Sequence, residues 1–141
     1  MIATDFHVQV AARISELRDL AAMVETFGET RNLPHRTIFI VNLALEELVT
    51  NTLVHGSFEE GVEPEIAIDL SIHDNNRVRV VVESNGGKFD PTEDTEPDLT
   101  SELDARPIGG LGIHLVKTQA DSFSYEFVDG INRLILEYNL T

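Results

Sequence analysis

The chain has 141 residues, enough for one domain around one core, and its 42% hydrophobic content is that of an ordinary globular protein. The absence of cysteine excludes disulfides and thiolate metal sites, and the formal net charge of −15 argues against nucleic acid or an anionic membrane as partner. No secretory leader is recognisable and no apolar run approaches the roughly 20 residues of a membrane span, so a cytoplasmic protein is expected.

Residues 6–10 alternate and predict a first strand. Ile14, Leu17, Leu20, Ala21, Val24 and Phe27 recur at helical spacing and predict an amphipathic helix over about 13–28. Asn32-Leu33-Pro34 restarts the chain, and a second helix is expected over 37–53, ending near Gly56. Residues 65–73 and 77–83 are β-rich runs joined by Asp74-Asn75-Asn76, a hairpin signal. Residues 88–108 contain seven carboxylates (Asp90, Glu93, Asp94, Glu96, Asp98, Glu102, Asp104) and three prolines, with little periodicity. They predict a long loop. A short helix to about Ala120 follows, and 122–127 with 133–138 form a closing hairpin around Asp129-Gly130. This order implies an α+β, two-layer α/β sandwich: a mostly antiparallel sheet with helices gathered on one face.

Two places carry chemistry. Gly109, Gly110 and Gly112 lie in a turn that runs into the apolar segment Ile113, Leu115, Val116. Glycines let backbone N–H groups approach an anion, and a helix starting there adds its unpaired N–H groups and dipole. This can hold phosphate without a basic cluster. On the second helix, Glu47, Asn51 and His55 are spaced i, i+4, i+8 and share one face of an otherwise apolar element. Polar groups there are costly unless partnered. An amide oxygen is a hard ligand suited to magnesium, and a carboxylate one turn away can take a proton. Taken alone, the same residues also describe a solvated helix face with a capping Asn51 and a terminal His55.

Three ordered stretches resemble one family. Glu47-Leu-Val-Thr-Asn51-Thr-Leu-Val-His55-Gly56 resembles the N box of the GHKL ATPase superfamily, whose members share the Bergerat ATP-binding fold. Ser84-Asn-Gly86-Gly-Lys-Phe89-Asp90-Pro91 sits where the first glycine box belongs, and Arg106-Pro-Ile-Gly109-Gly110-Leu111-Gly112 resembles the second. With Asn132-Arg-Leu near the end, the likeness spans residues 5 to 139 and is to the stand-alone branch of anti-sigma-factor serine/threonine kinases.

The resemblance implies a single ATPase-like domain over 1–141 that uses ATP and Mg2+, with 88–108 as its ATP lid. Glu47 would be the general base toward an acceptor hydroxyl and Asn51 the magnesium ligand. His55, Ser84, Gly86 and Asp90 would belong to the nucleotide site, with Gly86 allowing the base close to the backbone. Arg106, Gly109, Gly110, Leu111 and Gly112 would surround the phosphates. One position departs: the family has Asp where this chain has Ser84, so a charged acceptor for the adenine amino group is missing. Losing such a bond costs roughly 1.5–3 kcal/mol, or about 10- to 150-fold in affinity.

Two functions follow. The first is a kinase that phosphorylates a STAS-domain anti-anti-sigma partner and also sequesters a sigma factor. The second is a non-catalytic module on the same fold that sequesters a partner without phosphorylation. Glu47 with Asn51 favours the first and Ser84 the second. By resemblance a homodimer is expected, and neither nucleic acid nor membrane is expected as a partner.

Overall fold

The computed structural model describes residues 6–11, 13–55, 60–74, 76–88, 90 and 110–140, with the backbone alone at 11, 14, 54, 55 and 110–112. Period-two alternation sets the sheet. In β2 (Glu65–His73) the buried positions are Ile66, Ile68 and Leu70; in β3 (Arg77–Ser84) Val78, Val80 and Val82 take the same side. β1 (Phe6–Ala11), β4 (Ser122–Val128) and β5 (Ile131–Asn139) complete a five-stranded sheet of order β1-β2-β3-β5-β4. Every pairing is antiparallel, where the sequence led only to a mostly antiparallel sheet.

Register lines the inner face up in rows across all five strands. Phe6, Leu70, Val80, Leu136 and Phe123 form one, and Val8, Ile68, Val82, Leu134 and Tyr125 the next. The third row runs Val10, Ile66, Ser84, Asn132, Phe127, so the apolar face turns polar at its centre. The opposite face carries charge pairs: His7–Asp69 at 2.6 Å, Arg77–Glu137 at 3.4 Å and Arg133–Glu126 at 3.5 Å.

Among the described residues, three helices cover the inner face. A 3-10 turn (Ile14–Glu16) leads into α1 (Leu17–Thr30), which buries Leu20, Val24 and Phe27. Its end is a Schellman motif: Asn32 adopts φ 58°, its N–H donates to Glu29 O at 3.2 Å, and Leu33 N–H donates to Gly28 O at 2.8 Å. Pro34 then opens α2 (His35–His55), accepting from Ile38 N–H at 3.1 Å. At the α1–α2 crossing a Cβ on Gly28 would overlap Ile38 Cγ1 and Cδ1, so glycine allows the close approach. α2 buries Val41, Ala44, Leu45, Leu48 and Val49 and packs against both α1 and α3 (Gly110–Gln119), which adds Ile113 and Val116 to one continuous core. Among the described residues no helix is long and apolar enough to cross a membrane.

Both expected hairpins form. Asp129 and Gly130 have φ 53° and 79°, the two positive values of a type I′ turn, and Asp74 has φ 55° beside Asn76 N–H donating to His73 O at 3.1 Å. The second helix is longer than its periodicity indicated, and α3 begins at Gly110, inside the glycine run.

Tyr138 ends the inner row of β5, and its buried hydroxyl makes no hydrogen bond among the described residues. Burial, reinforced by Asp121, pushes its ionisation well above the usual phenol range. Removing an unpaired buried hydroxyl relieves a desolvation cost, so Tyr138→Phe should be neutral or stabilising by up to about 1 kcal/mol in urea unfolding. A destabilisation of about 1 kcal/mol or more would show that the hydroxyl has a partner in solution.

Candidate functional site

α2 is held rigidly because it lies between its two helical neighbours and the sheet. Its apolar positions face the core, and the residues one step round the helix are the polar pair Glu47 and Asn51. Asn51 is only 6% exposed. Three polar residues are buried among the described ones, and two of them are satisfied. His73 Nε2 lies 2.8 Å from Ser71 Oγ, and Asn132 bonds to the backbone of a turn. Asn51 makes no side-chain hydrogen bond among the described residues. Among the described residues its amide is therefore available to an outside group. Glu47, half-buried one turn earlier, has its carboxyl pushed above the usual carboxylate range, first by burial and then by the charge of Glu46. A carboxylate tuned upward one turn from an amide is what a proton acceptor next to a hard-cation ligand requires.

The end of β3 supplies the second part. Its ladder stops at Ser84, which pairs with Ile66 on one side and Asn132 on the other. Ser84 is half-buried and its hydroxyl makes no hydrogen bond among the described residues. Gly86 is buried. Asn132 Nδ2 donates to Gly86 O at 3.1 Å and to Gly87 O at 2.9 Å, and Tyr125 Oη donates to Asn132 Oδ1. On the opposite flank Asn85 Nδ2 donates to Glu63 O at 2.9 Å, and its Oδ1 accepts from Glu65 N–H at 3.0 Å. Sequence reasoning used Asn85 and Asn132 only as part of a likeness and did not see this network. One signal was available: alternation puts Asn132 on the inner face with Leu134 and Leu136, where an amide needs partners.

α3 supplies the third part. Gly110, Leu111 and Gly112 form its first turn instead of a loop before it. Their N–H groups therefore belong to the unpaired set at a helix N-terminus, where an anion is favoured. Asp90 is half-buried, and His55 is the last residue of α2. Arg106, Gly109 and nearly all of the expected lid lie outside the described residues. For magnesium, the donor set fits: Asn51 offers a hard amide oxygen with no competing partner among the described residues, one helical turn from a carboxylate.

Comparison with known proteins identifies the family. The profile of the histidine kinase-like ATPase domain matches residues 10–138. The chain is 32% identical over 102 residues to the serine/threonine-protein kinase BtrW of Bordetella bronchiseptica, a match covering 72% of this chain and 70% of that protein. It is 26% identical over 102 residues to the serine-protein kinase RsbW of Listeria monocytogenes, spanning 70% of this chain and 64% of that one. In fold it is similar to the solved RsbU and RsbW domains of Rv1364c from Mycobacterium tuberculosis, with TM-score 0.64 and 17% identity over 96% of this chain and 32% of that chain. An antiparallel sheet under three helices, a polar pair on the central helix and a matched profile over almost its whole length make this chain a member of the histidine kinase-like ATPase family, the GHKL superfamily, on the side of the RsbW and BtrW kinases.

Proposed function

We propose that the protein binds Mg-ATP and transfers the γ-phosphoryl group to a serine or threonine hydroxyl of a STAS-domain anti-anti-sigma partner. It works in the cytoplasm as a homodimer and sequesters a sigma factor when the partner is absent. The observation that carries this is Asn51, buried and with no side-chain hydrogen bond among the described residues, one turn from the upward-tuned Glu47. The kinase names of its relatives support the reaction class.

In this scheme Asn51 would hold magnesium through its amide oxygen, and the ion would supply charge neutralisation at the phosphates. The first turn of α3, with Gly110 and Gly112, would receive phosphate oxygens on backbone N–H groups, and Arg106 is the cation assigned to the γ-phosphate by family likeness. Gly86, having no side chain, lets the base lie against the turn after β3. The acceptor hydroxyl attacks the γ-phosphorus, its proton passes to Glu47, and ADP leaves. The protein's contribution is positioning and charge stabilisation, as phosphoryl transfer demands. Ser84 favours a second reading, a sequestering module without catalysis, because it offers no charged acceptor to the base.

Titration calorimetry separates these. Mg-ATP should bind with micromolar to sub-millimolar affinity, and Asn51→Ala should weaken it by about tenfold or more. No heat at millimolar nucleotide would leave the sequestering module as the function.

Glu47 makes a further prediction. Acting as base, it must be ionised, so phosphoryl transfer should fall on acidification at a higher pH than for an ordinary carboxylate. Glu47→Gln should lower the transfer rate by about 10²–10⁴ while Mg-ATP still binds. Because the folded-state value is raised, the native state holds extra proton between about pH 4.3 and that value. Stability is therefore lost as pH rises through this window. Glu47→Gln should raise the melting temperature by ~1–3 °C at neutral pH, and the gain should vanish below about pH 4. A loss of melting temperature at pH 7 would show that the carboxylate has a stabilising partner instead.

A further inference from the structure

The turn at residues 84–87 closes with two consecutive glycines, so no side chain of its own fixes the Gly86–Gly87 backbone. Both glycine carbonyls lie beyond the last ladder pair of β3, where the strand ladder supplies no N–H donor to them. Their hydrogen bonds come from one side chain instead. Asn132 Nδ2 spans Gly86 O at 3.1 Å and Gly87 O at 2.9 Å. Carbonyls only accept, so the nitrogen end of the amide must face them, and Oδ1 is then left for the hydroxyl proton of Tyr125. The tyrosine thereby sets the rotamer and the orientation of the amide. Asn85 ties the same turn to the start of β2, at Glu63 and Glu65. Since β2 and β5 flank β3, the turn is anchored to both neighbours of its strand.

A turn of this composition could be closed with less. The network places a buried asparagine in a row otherwise continued by Leu134, Leu136 and Tyr138, and directs both of its donors at the two glycines. The Ser84 hydroxyl, one strand over in the same row, makes no hydrogen bond among the described residues. A polar network that fixes a side-chain-free backbone is suited to presenting that backbone to a ligand.

We propose that Asn132 and Tyr125 are positioning residues for the nucleotide base: they hold the Gly86–Gly87 backbone ready, so that binding need not order it. This deepens, and rests on, the Mg-ATP reading. Neither residue touches the phosphates, and their effect should be confined to the base end of the ligand. A partial release of the two glycines predicts a loss of affinity of about ten- to hundredfold, and freeing both completely would lower it still further.

The test compares Mg-ATP, adenosine and magnesium tripolyphosphate as calorimetric ligands of the full chain, wild type against Asn132→Ala and Tyr125→Phe. Asn132→Ala should weaken ATP and adenosine by a common factor, about ten- to hundredfold, and leave tripolyphosphate within about twofold of wild type. Tyr125→Phe keeps the ring and should give a smaller, few-fold loss of the same selectivity; it carries the test if Asn132→Ala does not fold. Where transfer is measurable, KM for ATP should rise with kcat little changed. Wild-type ATP binding with both variants unaltered overturns the positioning role and leaves the Mg-ATP reading intact. Equal losses for ATP and tripolyphosphate overturn it as well, marking a purely structural network. A wild type that binds none of the three ligands overturns both.

Discussion

A polar group set into an apolar layer must find a partner, and that constraint shapes the whole molecule. The layer between sheet and helices is filled by Ile66, Ile68, Leu70, Val80, Val82, Leu134 and Leu136 from below and by Leu20, Val24, Leu45, Leu48 and Val116 from above. Burying such a side chain is worth roughly 1.5–3 kcal/mol, so the layer by itself accounts for why the elements stack as they do. It tolerates polar atoms at few points, and each has a consequence. Asn132 is satisfied by reaching past the strand end to two glycine carbonyls. Asn51 is left without a side-chain partner among the described residues. The candidate site lies where the apolar rows give way to Ser84 and Asn132 and where α2 carries Glu47 and Asn51.

α2 links packing to chemistry. It is the helix that touches both other helices, so its position is the most constrained of the three. A ligand group carried there needs no further ordering, in contrast to one placed on a loop. The same burial that fixes the helix raises the affinity of Glu47 for a proton, with Glu46 adding to it. Stability and reactivity are thus opposed at this carboxyl: ionisation serves the proposed chemistry and costs the fold.

The elements were legible in the sequence wherever one periodicity dominated. Alternation in β2 and β3 and the turn pairs at Asp74 and Asp129 gave strands and hairpins close to those formed. α1 was placed by its apolar stripe, although its stop needed the left-handed Asn32, which periodicity cannot show. Glu47 and Asn51 were legible because two polar residues interrupt an apolar helix. The turn clamp was not. Asn132 acts on carbonyls 46 and 45 positions earlier in the chain, and only the β3–β5 register brings them together. The start of α3 was also misplaced, because glycine disfavours a helix interior yet is accepted in its first turn, where N–H groups are unpaired in any case.

The charge of the chain bears on the Ser84 departure. With a formal net charge of −15, and with seven carboxylates but only Lys88 and Arg106 as cations between residues 88 and 108, the long-range field opposes a polyphosphate. That field is screened over about 8–10 Å at physiological salt, whereas contacts at bonding distance are not. In the proposed scheme nucleotide affinity would therefore come from short-range groups: N–H donors opening α3, the amide oxygen of Asn51 toward a metal, and a turn held in place beforehand. Aspartate at position 84 would place one more negative charge inside this acidic surround, raising the desolvation and repulsion that oppose the phosphates. Serine forgoes a charge-assisted bond to the base and removes that repulsion at the same time. The two effects have opposite sign, so the affinity lost at the base overstates the affinity lost by the whole nucleotide. A preformed turn beside an uncharged hydroxyl is accordingly compatible with a working Mg-ATP site.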